Sequence, residues 1–300
     1  VVQQLYTVTH QQIPWTGSAT GGPLGRNVHH DSRSLAYRYQ HDGRELAEVL
    51  HTRHLPILDQ GDVGDCTTNA GTGALGSDPL YGALPTGHPA LNEALAVSMY
   101  SDEEKLLFGT GYPPEDEGGD GLTTCKIMAK RGLISGYTHC LSLADFTAAL
   151  QTGPVLLGCN WYDSMDTPDA SGEVVIFPNA SVRGGHEIVA RGVDPFAQTV
   201  FLDNSWGTGW GVGGSFIMGW GTLERLLSEQ GDGTVPLPLT APAPVPVPVP
   251  PVPVPPGPVP ASLADQALAA AAEPWIAHRH EGGNKQMAAA LRAWLAAKGF

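Results

Sequence analysis

Cysteine is scarce in this chain, four in 300 residues, too few for a disulfide scaffold. Basic residues are also few. Sixteen Lys and Arg stand against thirty Asp and Glu, and the formal net charge of −14 argues against a partner recognised through nucleic-acid phosphates. No apolar run is long enough for a helical membrane span. The N-terminus, Val1-Val2-Gln3-Gln4-Leu5-Tyr6, has neither a basic stretch nor an apolar one, so no signal peptide is visible and a cytoplasmic location is expected. A hydrophobic share of 42% excludes wholesale disorder for most of the chain, and its length fits one large domain or two modest ones.

Proline, by contrast, is concentrated. Thirteen of the twenty-six prolines fall between Pro236 and Pro260, mostly alternating with valine. Because proline fixes φ and lacks an amide donor, this stretch is expected to form neither helix nor central strand. A polyproline II rod of about 3.1 Å per residue is expected instead. It divides the chain into a domain over 1–235, with 1–24 a polar extension, a linker over 236–260 and a small helical module over 261–300. In that module Met287, Leu291 and Leu295 recur every four residues beside Trp294, an apolar stripe suited to self-association or a protein partner.

Within 1–235, helix-type spacing covers Cys66–Leu75, Leu91–Leu107 and Gly121–Arg131. Strand-like segments follow at Pro154–Trp161, Glu173–Phe177, Glu187–Val193, Val200–Asn204 and Gly214–Met218. Helices first and strands later predict an α+β protein with two lobes.

Three segments carry chemistry. Gln60-Gly61-Asp62-Val63-Gly64-Asp65-Cys66 puts a cysteine at a helix N-terminus, where the dipole and free amides favour thiolate. Gly184-Gly185-His186 heads a β-branched run, and Asn204-Ser205-Trp206 ends a strand with an amide beside an indole. Cys, His and Asn in that order can serve as nucleophile, base and orienting residue.

These motifs resemble the papain family of cysteine peptidases, in particular its bacterial and phage branch, in which the nucleophile sits in Cys-Thr-x-Asn-Ala. The resemblance covers roughly 24–232 and includes Gly25-Arg26 near its front. It implies a two-lobed papain-like fold, with a helical lobe and a β-barrel-like lobe, and hydrolysis of peptide bonds in a polypeptide substrate. By the same resemblance Cys66 is the nucleophile, His186 the base, Asn204 its orienter and Gln60 the oxyanion donor. Trp206 covers the Asn–His pair and Trp210 lines the leaving-group side, with Gly64 and Gly185 also expected at the substrate. No metal and no cofactor is implied. A cell-wall hydrolase or acyl transferase on the same fold, and a non-enzymatic virion or scaffold component, are the competing readings. Abundant Ala, Gly and Pro fit an actinobacterium or its phage, and thus a host-cytoplasmic or virion-associated protein.

Several positions keep two readings at this stage. Asp65 replaces the small residue usual before the nucleophile, and could oppose thiolate formation, point to solvent or meet a basic substrate residue. The acidic stretch Tyr112–Asp120 is either a solvated loop or a cleft wall selecting basic peptides. Trp161, Tyr162 and Met165 either border the cleft or pack in the core. Cys125, Cys140 and Cys159 are expected to be reduced and buried. The residues before Gln60 are expected to pack on the domain rather than to act as a removable inhibitor.

Overall fold

The computed structural model describes residues 22–28, 32–41, 43 and 45–239. Residues 1–21 of the expected 1–24 extension, most of the proline linker and the whole helical module lie outside these residues.

After a 3-10 turn over Ser32–Tyr37 and a short strand β1 (Val49–Leu50), four helices follow: α1 (Cys66–Leu75), α2 (Leu80–Ala83), α3 (Glu93–Phe108) and α4 (Gly121–Lys130). Strand β2 (Gly136–Cys140), helix α5 (Leu143–Ala149), β3 (Val155–Tyr162), β4 (Val182–Asp194), β5 (Thr199–Asp203), β6 (Ser215–Gly219), helix α6 (Trp220–Ser228) and β7 (Asp232–Leu237) complete the order. The strands form one antiparallel sheet, β2-β7-β3-β4-β5-β6, with β1 paired to β4.

Local chemistry explains the helix starts. Asn92 accepts from the Leu95 amide, Asp120 from Thr123 and Ser142 from Asp145, each side chain satisfying a first-turn amide. Gly109, at φ 86°, ends α3 in the left-handed conformation. Helix α1 is different: Asp65 stands at its N-cap but makes no capping hydrogen bond. Nearly every α1 residue is buried, polar ones included. Thr67 donates to Glu103 at 2.6 Å, while Thr72 donates to the Thr68 carbonyl and Asn69 to that of Asp65. These internal bonds offset the cost of burying hydroxyls and amides.

Two hydrophobic clusters result. One gathers α1, α3 and α4 through Leu75, Leu95, Met99, Ile127 and Met128, and reaches the sheet at Leu156 and Val189. The other fills the far face of the sheet around Phe146, Trp161, Met165, Phe216 and Leu226. Trp161 and Met165 are fully buried, so core packing rather than a cleft border is what they do. Cys125, Cys140 and Cys159 are free and buried.

Two expectations change. Glu173–Phe177 forms no strand. Only Glu173 bridges to Ile217 and the Val174 amide donates to the Ile217 carbonyl, because this segment meets β6 alone before turning away. The proline boundary also moves. β7 runs through Pro236 to Leu237, pairing these residues with Tyr137 and Gly136 of β2. Proline is tolerated there because β3 pairs with β7 only as far as Thr234, leaving Pro236 with a neighbour on one side.

Candidate active site

Cys66 opens α1 and is wholly buried. His186 lies in β4, also without exposure, and Asn204 follows the end of β5. His186 Nε2 donates to Asn204 Oδ1 at 2.8 Å, and the same oxygen accepts from the Ser205 amide. An amide oxygen can only accept, so Nε2 carries the proton and Nδ1 of a neutral ring holds the lone pair. Nδ1 has no hydrogen-bond partner among the described residues. The amide of Glu187, the residue after His186, is directed at the Cys66 sulfur. Thiol and imidazole thus share one buried region.

Gln60 is held beside them. Its amide donates to the Ser205 carbonyl at 2.9 Å, and Gly207 donates back to Leu58. Its side-chain oxygen accepts from the Ser205 hydroxyl at 2.6 Å, while Nε2 donates one hydrogen to the Val63 carbonyl. The second Nε2 hydrogen is left for another acceptor.

Trp206 stacks on the His186 ring at 5.0 Å between centroids. Behind it stand Trp161, edge-on to His186, and Trp210, 5.3 Å from both Trp206 and Phe216. Trp210 is mostly buried and its Nε1 donates to the Asp166 carbonyl, so it supports Trp206 from within the aromatic cluster.

The segment 22–28 lies along this site. Arg26 donates its amide to the Gly185 carbonyl at 3.0 Å, Asn27 to Gly119 at 2.6 Å, and Gly119 donates to the Gly25 carbonyl. Gly22 packs on the Trp206 ring, whose Nε1 donates to the Pro23 carbonyl. Gly25 sits so close to the Gly64 carbonyl that a β-carbon there would overlap it. Its amide points at the Cys66 sulfur. Gly64 and Gly185 therefore both face this extended segment, a single added strand only in the sense that Arg26 makes one isolated parallel bridge to Gly119. Of the residues before Gln60, the described segment 22–28 packs on the domain, at the catalytic candidates themselves.

Burial sets the protonation states. It pushes the Cys66 thiol up, against the amides of Glu187 and Gly25, and it pulls His186 down to about 4 against the Asn204 hydrogen bond. In this closed arrangement the pair is neutral thiol and neutral imidazole. Asp65 is buried rather than solvent-facing, and burial together with Glu93 raises its carboxyl to about 8. Up to that pH it places no charge beside the thiol. The acidic stretch before α4 is no free loop: Asp116 accepts from the Gly64 amide and Gly119 pairs with the strand over the thiol.

Sequence reasoning gave no role to three charged residues here: Arg26, whose side chain is buried, with Asp232 and Glu187 around it. Only Glu187 left a signal, as a carboxylate heading an otherwise apolar run. Among the described residues no helix is long and apolar enough to cross a membrane.

Fold and site together define the class: a mixed helix and antiparallel-sheet chain with a papain-like protease fold. The solved structures it resembles include xylellain, a cysteine protease from Xylella fastidiosa, at TM-score 0.58 and 19% identity, over 77% of this chain and 99% of that one. Digestive procathepsin L 3 from the larval midgut of Tenebrio molitor aligns at TM-score 0.52 and 15% identity, over 77% of this chain and 83% of its own. No protein-family model matches the chain, and no curated protein sequence does.

Proposed function

We propose that this chain is a cysteine-type endopeptidase acting through Cys66, His186 and Asn204, with Gln60 in the oxyanion hole. The observation that carries the reading is the His186–Asn204 hydrogen bond at 2.8 Å, which commits Nε2 and leaves Nδ1 unpartnered among the described residues, free to act as the base. The names of the solved relatives, cysteine protease and procathepsin, agree with it. The two hydrophobic clusters then correspond to two lobes, the thiol on one and the imidazole on the other.

Before substrate enters, the strand over 22–28 must leave. Gly25 lies in this segment, with its amide near the Cys66 sulfur. Departure of the segment admits water, which favours transfer of the thiol proton to His186 Nδ1. The thiolate sulfur attacks the scissile carbonyl carbon, and the oxyanion is held by Gln60 Nε2 and the Cys66 amide. His186 returns the proton to the leaving nitrogen as the C–N bond breaks. Water, deprotonated by His186, then attacks the thioester, the C–S bond breaks and the acid is released. Trp206 keeps water from the Asn204–His186 hydrogen bond.

Hydrolysis of casein or a quenched fluorescent peptide tests this. Activity should survive EDTA, stop on alkylation by iodoacetamide and be absent from Cys66→Ala. Full hydrolysis by a pure Cys66→Ala sample would overturn the reading.

A further inference from the structure

We propose that the pocket filled by Arg26 is the arginine-recognition subsite of the cleft, so that the enzyme selects peptides with arginine beside the residue lying over the Cys66 thiol. The proposal rests on the endopeptidase reading and adds its substrate class.

The pocket is built across three strands. Gly158 of β3 is the register partner of Glu187 on β4 and of Asp232 on β7. Neighbouring strands lie about 4.8 Å apart, so the two carboxylates flank a glycine gap. A β-carbon at Gly158 would touch Asp232 Oδ1 and come within 2.7 Å of both Arg26 Nε and Glu187 Oε2. The missing side chain is thus the space the guanidinium occupies. Arg26 Nη2 donates to Asp232 Oδ1 at 2.8 Å and to the Gln230 carbonyl at 2.9 Å. Glu187 is 1% exposed, yet neither carboxylate oxygen has a hydrogen-bond partner among the described residues, and Arg26 Nε and Nη1 have none either.

The strand bearing Arg26 is otherwise held by main-chain bonds to Gly185 and Gly119. Any extended peptide can make those bonds, as in other strand-addition complexes, and side-chain pockets then supply the selectivity. An apolar side chain would leave the part-buried Asp232 without its counter-charge, beside a Glu187 carboxyl that burial raises well above the usual carboxylate range. Lysine offers a single point charge, whereas a guanidinium fork can address Asp232 and Glu187 together. The unused acceptors on Glu187 leave room for an arginine seated differently from Arg26. Glu187 directly follows His186, so selection occurs next to the reacting bond.

Two measurements on the full chain test the subsite. The first is cleavage of a positional peptide library containing arginine, citrulline, lysine and leucine. Arginine should exceed neutral, isosteric citrulline by about 10–100-fold in kcat/KM at one position, the range expected for hydrogen bonds to a charged group. In Asp232→Asn that ratio should collapse toward unity. The second measurement needs no catalysis. The melting temperature of Cys66→Ala/Arg26→Ala should rise with N-acetylarginine amide and not with N-acetylcitrulline amide, and adding Asp232→Asn should remove the response. Cleavage without arginine preference, or a preference untouched by Asp232→Asn, overturns the subsite and spares the peptidase reading. No cleavage with an arginine-specific thermal shift keeps the pocket and sinks the peptidase reading. Neither signal overturns both. Should the Arg26→Ala protein not fold, the library ratio in wild type and Asp232→Asn decides alone.

Discussion

The Arg26 amide donates to the carbonyl of Gly185 at 3.0 Å, fastening a residue from the front of the chain to the one before His186. That bond is part of a main-chain clamp that keeps Cys66 and His186 out of water, and burial is the leading cause of the shift at both groups. In the proposed mechanism activity depends on how readily this segment lifts.

Gly25→Val tests the clamp. Its β-carbon would collide with the Gly64 carbonyl, and overpacking of this kind costs about 1–3 kcal/mol, here borne by the closed state alone. Alkylation of Cys66 by iodoacetamide should accelerate roughly 5–150-fold, the factor that this energy corresponds to. An unchanged alkylation rate in a folded variant would mean that the strand does not guard the thiol.

Gln60→Ala should lower kcat by about 10²–10³, as for other oxyanion donors, with KM little altered. Asn204→Ala should also act on kcat, because it frees the His186 ring to rotate while leaving the substrate contacts in place. Steady-state kinetics on one peptide check both, and wild-type turnover in both variants would refute the assigned roles.

Stability should fall as pH rises from 6.5 to 8. Asp65 and Glu103 are raised to about 8, chiefly by burial, so the folded chain keeps two protons that the unfolded chain loses near pH 4. Where the folded state binds more protons, stability decreases with pH. His186, depressed to about 4, works the other way, but only below its unfolded value near 6.5. Melting temperatures across this range should flatten in Asp65→Asn and in Glu103→Gln, and a flat wild-type profile would contradict the assignment.

Truncation after Leu239 should leave the melting temperature and small-peptide hydrolysis near those of the full chain. Truncation after Val235 should not, since it removes Pro236 and Leu237 from β7 and with them the bond from the Ser135 amide to the Leu237 carbonyl. Each lost backbone hydrogen bond is worth about 1 kcal/mol. Equal melting temperatures for the two truncations would place the edge of the fold earlier.

Much of the helical part was legible because its signals are local. Helices α1, α3 and α4 fall where helix-type spacing placed them, and α1 spans the expected Cys66–Leu75, whereas the short α5 behind Ser142 was not foreseen. Strand β7 was not, because Gly233 and Pro236 both argue against a strand when only their neighbours along the chain are considered. Glu173–Phe177 reads as a strand by composition, yet it lacks a partner able to extend the ladder beyond one bridge.

By itself the sequence determined the chemical inventory: a thiol at a helix start, an imidazole heading an apolar strand, an amide at a strand end, and an excess of acid. Residue type and local spacing carry that information. Which carboxylates face which cation was decided only in three dimensions. Glu187, Gly158 and Asp232 form one row because β4, β3 and β7 pair in that register, and a one-residue slip in any of them would turn its side chain to the other face. Strand register is settled by the packing of the whole sheet, so no local signal announces a pocket assembled from distant segments, nor the strand from residues 22–28 that fills it.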